Sequence, residues 1–185
     1  PSTMGFIQCT VEENGKRESG SYNVAARGGL EYFSEGRQAK LVKEAVSRAV
    51  FQLDAVSPPA GEYPVVLAAG PSAILLHEAI GHGLEADFNR KNISIFSSRL
   101  NEPIANEHVN IVDDATIVGS RGALNVDDEG NDTERTVLVE NGVLRSYLHD
   151  SISAKHFGVT PTGSGRRQSF RHTPIPRMRA TIMEN

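Results

Sequence analysis

The sequence predicts an α+β fold: an N-terminal hairpin-plus-helix portion, then a mostly antiparallel, barrel-like β domain carrying one motif helix. Three observations lead there. Two Asn-Gly pairs, Asn14-Gly15 and Asn141-Gly142, each sit between β-like runs, and Asn-Gly is the strongest short hairpin signal. Residues 35–53 place Leu41, Val42, Ala45, Val46, Ala49, Val50 and Leu53 at helical spacing. A third stretch, opening at Ala73-Ile74-Leu75-Leu76, is apolar except for a compact His-Glu-His cluster, and strand-like runs follow it.

Each element follows in chain order. Residues 4–11 and 16–26 pair around Glu13-Asn14-Gly15, and Ser34 is placed to N-cap the helix over 35–53, whose apolar stripe is core. Residues 54–64 hold three prolines and a glycine and read as a linker, which divides the chain into residues 1–56, the end of an α/β domain, and 57–185, the start of a second domain. Val65-Val66-Leu67-Ala68-Ala69 reads as a short buried strand, and Gly70-Pro71-Ser72 as a turn into the motif helix. Residues 110–112, 136–139 and 143–148 are β-like, the last two joined through Glu140-Asn141-Gly142. Strands grouped around one functional helix give the α+β class.

The motif is His77-Glu78-Ala79-Ile80-Gly81-His82, an H-E-x-x-x-H. In the ordinary H-E-x-x-H the histidines are four apart, and an α-helix at about 100° per residue brings them within roughly 40° of each other. Five apart, they diverge by about 140°, too far to share one ion on an ideal helix. A π-type turn restores the stacking of residues five apart, and Gly81 is the natural place for it. Glu78 then lies beside the first ligand, suited to act as general base on a metal-activated water. With six His and fifteen Glu in 185 residues, the pattern arises by chance only about 0.015 times. Charged side chains on so apolar a helix cost several kcal/mol unless paired or metal-bound. Metal ligation is therefore favoured over histidines serving structure alone.

These residues also carry a resemblance. The run from Leu75 to Lys91, LLHEAIGHGLEADFNRK, is similar to the TldD/PmbA family of metallopeptidases, long described as modulators of DNA gyrase. Ser57 to Pro64, Val112-Asp113-Asp114, Arg121 to Gly130, Glu140 to Leu144 and Pro161 to Arg167 match it in order, over most of residues 55–180. The motif points to the catalytic TldD type, since the PmbA (TldE) partner type lacks it. The resemblance implies a cytoplasmic, metal-dependent peptidase acting on unstructured or modified peptides with a PmbA/TldE-like partner subunit. It implies His77 and His82 as ligands of a divalent metal, zinc with iron as an alternative, and Glu78 as the catalytic carboxylate. The family's third ligand is a cysteine near the C-terminus, and Cys9, the one cysteine here, does not match it. The chain opens at Pro1 inside a strand pattern and stops after an apolar stretch, so it reads as a fragment, inactive alone, with the ligand-bearing cysteine expected beyond residue 185. Within the chain Glu85, Asp87 and His108 are the stand-ins for that thiolate.

Other features bound the function. A net charge of −4 and a pI near 5.9 argue against a direct nucleic-acid footprint. One cysteine excludes an intrachain disulfide, and no apolar run approaches the ~20 residues of a membrane span. Asp127 to Asp132 resembles a calcium loop, yet its glycine stands fourth rather than sixth and no Glu stands twelfth, so a solvated loop is expected. Asn89 and Arg90, just past the motif, and Arg166 and Arg167, in a Gly-rich loop near the cleft, are candidate substrate contacts. His149, His156 and His172 are expected at the surface or ordinarily hydrogen-bonded. The competing classes are a non-enzymatic binding or regulatory module with a structural or vestigial metal site, and a hydrolase of a non-peptide bond.

Overall fold

The computed structural model describes residues 2–70 and 72–184, so Pro71 of the predicted turn lies outside the described residues. The chain forms two compact units, one of residues up to Val66 with Gly119–Arg121, the other of Leu67–Val118 with residues from Gly122 onward.

In the first unit β1 (Thr3–Glu13) and β2 (Lys16–Ala26) pair antiparallel, from Glu13 opposite Lys16 to Thr3 opposite Ala26. Asn14 and Gly15 both have positive φ, 51° and 78°, as a two-residue hairpin turn demands. The helix α1 (Glu35–Leu53) packs on this hairpin so closely that a Cβ on Gly20 would stand 2.3 Å from the Ala49 backbone nitrogen. Only one row of the predicted stripe is buried there: Leu41, Ala45 and Ala49, four residues apart. The adjoining row, Val42, Val46 and Val50, is exposed, because a two-stranded hairpin covers only a narrow arc of a helix. Ser34 stands at the N-cap, but its carbonyl rather than its hydroxyl takes the helix N–H groups, those of Arg37 and Gln38. Cys9 is occupied within this unit, its thiol donating to the Ala45 carbonyl at 3.3 Å.

Residues 65–69 form no strand, contrary to expectation, and Val66 is 97% exposed. A short apolar run becomes a strand only where a partner edge meets it, and among the described residues none does.

The second unit holds an antiparallel sheet ordered β5-β4-β3-β8, from β3 (Asn110–Asp114), β4 (Arg135–Glu140), β5 (Val143–Leu144) and β8 (Thr181–Glu184). Among the described residues this sheet is open and four-stranded rather than a closed barrel. Its β4–β5 turn again has positive φ at Asn141 and Gly142. The predicted strand over 143–148 stops after Leu144, because the Arg145 and Ser146 N–H groups both turn onto the Leu138 carbonyl. Residues up to Leu148 are thereby released to pair elsewhere. A short pair, β6 (Gly165–Arg166) and β7 (Ile175–Pro176), and the helices α2 (Ala73–Leu76), α3 (Ala86–Arg90) and α4 (Ser151–Phe157) complete the unit. Asp150 and Ser153 form a reciprocal capping box at the start of α4, and Gly158 ends it with φ 69°.

Leu84, Ala86, Phe96, Ile111, Leu138, Val139, Leu144, Tyr147 and Leu148 form the core, and Tyr147 donates its buried hydroxyl to the Phe96 carbonyl at 2.7 Å. Each fully buried aliphatic of this size contributes about 1.5–3 kcal/mol. Beneath β3 lies a fully buried ion pair, with Arg179 Nε 2.6 Å from Asp113 Oδ1. The rest of that guanidinium donates to the Thr162 carbonyl, the Asp113 carbonyl and the Thr136 hydroxyl. His149 is a correction to the sequence reading: it is 4% exposed, ringed by Tyr147 and Phe157, with Nδ1 buried and unpartnered. His156 is exposed edge-on to Phe157, and His172 Nδ1 pairs with the Ser169 hydroxyl at 2.9 Å.

Candidate metal centre

The motif occupies a continuous helical stretch whose winding changes at the chemistry. After α2, residues His77–Gly81 form a π-turn and His82–Leu84 a tighter 3-10 turn. The wide turn does what the five-residue spacing requires: His77 Nε2 and His82 Nε2 converge to 3.0 Å, with the rings nearly perpendicular. Gly81 is needed for a second reason. A Cβ there would lie 1.9 Å from the Met178 sulfur, so the glycine lets Met178 pack against the turn.

His77, Glu78 and His82 bring their ligand atoms within 4.8 Å of one another, the one such group of three among the described residues. Two ligands of a tetrahedral zinc at ~2.0–2.1 Å stand about 3.3 Å apart, close to the separation of these two nitrogens. Two imidazole nitrogens at 3.0 Å also need a proton or a cation between them, since facing lone pairs repel. The donor set and its convergence therefore fit a divalent metal.

Glu85, a stand-in for the third ligand in the sequence reading, points instead to the far side of His82. Its Oε2 lies 3.1 Å from His82 Nδ1 and 2.6 Å from Arg177 Nη1, and the carboxyl is completely buried. Burial pushes the Glu85 carboxyl above the usual carboxylate range, while the His82 hydrogen bond and the Arg177 charge pull it back. The backbone fixes the side chain: Leu148 N–H donates to the Leu84 carbonyl, and Ala86 N–H donates to the Leu148 carbonyl. This is the pairing that the shortened β5 makes possible. Asp87 faces Lys91 at 3.8 Å, and His108 is exposed, so neither joins the cluster.

The candidate substrate contacts fall in three places. Asn89 is buried, donating its amide to the Gly83 and Glu85 carbonyls and so closing the motif helix. Arg90 ends α3, half-buried, with Nε lacking a partner. Arg166 lies in β6, and Arg167 donates through its backbone and guanidinium to Asp128. The expected solvated loop at 127–132 is ordered by a buried Asp127, which accepts from Glu129, Asn131 and Gly165 N–H groups. Thr162 and Ser164 are likewise buried and bonded to each other, so the Gly-rich segment is a fixed turn.

Beside Glu78 and His82 opens a cavity of about 290 Å³ whose far wall is Phe88, Ile93, Ile95 and Phe96. Ser94 pins that wall to the motif helix, its hydroxyl donating to the Gly83 carbonyl at 2.6 Å, and Gly83 leaves room for the Phe96 ring. Sequence reasoning missed this wall and missed Arg177. The H-x-x-E spacing from His82 to Glu85 was a readable signal for the carboxylate; Arg177, 92 residues beyond Glu85, had none.

Comparison with known proteins gives a consistent result. Residues 60–185 match the family model described as the PmbA/TldA metallopeptidase C-terminal domain. The metalloprotease TldD homolog of Haemophilus influenzae is 48% identical over 182 residues, 96% of this chain and 38% of that protein. The zinc metalloprotease TldD homolog of Saccharolobus solfataricus is 39% identical over 138 residues, 74% of this chain and 31% of that protein. Among solved structures, a Thermotoga maritima protein designated a putative modulator of a DNA gyrase aligns with TM-score 0.80 and 25% identity, covering 98% of this chain and 40% of that one. TldE of Thermococcus kodakarensis shares the fold, with TM-score 0.82 and 21% identity over the whole of this chain and 41% of its own. The chain thus spans 38% of the length of the Haemophilus relative.

Proposed function

The chain belongs to the PmbA/TldD metallopeptidase family, and on that premise we propose that it carries the ligand-and-base half of a metal-dependent peptidase site. The observation that supports this is the convergence of His77, Glu78 and His82 on a π-turn. When bound, a divalent metal, zinc in our reading, supplies Lewis-acid activation of water and of the scissile carbonyl. His77 and His82 hold it through Nε2. The Glu78 carboxylate takes the proton of the attacking water and returns it to the leaving amine nitrogen. Phe88, Ile93, Ile95 and Phe96 give the cavity beside Glu78 and His82 an apolar flank.

A catalytic zinc needs three protein ligands and an open position. We assign the third to a cysteine outside these 185 residues, and expect the chain alone to be inactive. The working enzyme in this proposal is cytoplasmic, pairs with a PmbA/TldE-like subunit and cleaves unstructured or modified peptides; Arg90, Arg166 and Arg167 remain the proposed substrate contacts, whereas Asn89, buried and bonded to the motif helix, holds that helix instead. Among the described residues no helix is long and apolar enough to cross a membrane. The test is Glu78→Ala in the partner-bound protein, assayed for zinc content and peptide cleavage. Stoichiometric zinc with cleavage reduced at least 10²-fold is expected. Retained turnover refutes the base role, and a wild-type protein without metal favours the binding-module reading.

A further inference from the structure

We infer that Glu85 and Arg177 are positioning residues that lock His82 in the Nδ1–H tautomer and so present Nε2 as its ligand atom. The inference rests on the reading of His82 as a metal ligand. His82 alone is free to carry its proton on either nitrogen, and only one choice serves a metal on the His77 side. Glu85 Oε2 removes that freedom. It accepts from Arg177 Nη1 at 2.6 Å, so the same oxygen is an acceptor toward His82 Nδ1 at 3.1 Å. The other oxygen, Oε1, is buried without a partner and is where a proton on Glu85 would reside. The tautomer is thus fixed whether Glu85 is charged or neutral.

The clamp is preorganised. Glu85 is gripped through its neighbours by Leu148 on both sides, and Arg177 is anchored by its N–H on the Ser164 carbonyl. Met178, next in the chain, packs where the absent Gly81 side chain would be. One segment therefore holds the motif at its ligand's back and at its π-turn. Such outer partners of a ligating histidine typically change metal affinity 10- to 100-fold when removed.

The experiment measures two quantities on the purified protein and its variants: the His82 tautomer, from long-range ¹H–¹⁵N imidazole correlations with chelator present, and Co²⁺ affinity by absorption titration. The wild type is expected to show His82 as Nδ1–H. Glu85→Ala is expected to lose that single tautomer and bind Co²⁺ 10- to 100-fold more weakly. Glu85→Gln keeps an oxygen acceptor and is expected to restore the Nδ1–H tautomer, a rescue that a purely structural role does not require. Arg177→Met, whose guanidinium is partly exposed, gives a second variant that folds if Glu85→Ala does not, with weaker Co²⁺ binding expected. A wild-type Nε2–H tautomer, or folded variants with unchanged tautomer and affinity, overturns the inference. Failure of the wild type to bind Co²⁺ overturns the metal reading instead, and the tautomer, read without metal, judges the clamp separately.

Discussion

Arg179→Met removes a buried cation and leaves its partner in place. Asp113 keeps two donors, the backbone N–H of residue 179 and the Thr181 hydroxyl at 2.8 Å, but loses the guanidinium Nε at 2.6 Å and the countercharge. The Thr162 carbonyl and the Thr136 hydroxyl lose their contacts as well. Breaking one side of a buried pair costs about 3–5 kcal/mol, and Asp113→Asn, which strands the cation, falls in the same range. The double variant removes both charges while keeping similar volume, so its loss should be smaller than the sum of the singles by at least about 2 kcal/mol. Because the chain has two compact units, a global probe mixes their unfolding. Amide exchange of Val112 and Val137 in β3 and β4 reports the second unit alone. Each single variant should speed those amides by two to four orders of magnitude, at 1.36 kcal/mol per decade. A double variant whose loss equals the sum within about 0.5 kcal/mol would refute the account of Asp113 and Arg179 as one unit.

Two further outcomes are expected. Burial lowers the His149 pKa from 6.5 to about 4, with the Asp150 charge opposing. The unfolded chain then takes up a proton first as pH falls, so this contribution to stability is complete above about 6.5 and is lost between pH 6.5 and 4, at up to about 1.4 kcal/mol per pH unit and about 3 kcal/mol in all. Urea midpoints of wild type and His149→Gln should diverge across that window, and parallel curves count against a neutral, buried imidazole. Gly81→Ala places a methyl against Met178, with an expected loss of about 1–3 kcal/mol in thermal unfolding; pairing it with Met178→Ala should recover part of the loss, and no recovery would place the strain elsewhere.

Much of the site was legible because its signal is local. The five-residue spacing in His77–His82 demanded a wide turn, Gly81 marked where, and the chain makes a π-turn over those residues. Both Asn-Gly hairpins formed for the same reason, since positive φ at two successive positions is written in residue type. What failed to read was set by partners distant in sequence. The apolar pattern of α1 was right for a helix, yet only the row facing the hairpin is buried. Residues 145–148 have strand composition but leave the ladder to hold Glu85. Burial of His149 is the exception, since Tyr147 and Phe157 stand close to it in the chain, yet no periodic spacing announces their packing around it.

The tripeptide Arg177-Met178-Arg179 gives the molecule a temporal order. Three consecutive side chains meet Glu85, Gly81 and Asp113, which lie 92, 97 and 66 residues earlier. At synthesis rates of roughly 5–20 residues per second, the motif emerges roughly 5–18 s before its brace exists. During that interval His77 and His82 are already made but His82 has no Arg177-backed carboxylate to aim it. The brace on His82 therefore forms late, when residues 177–179 close over a much earlier segment.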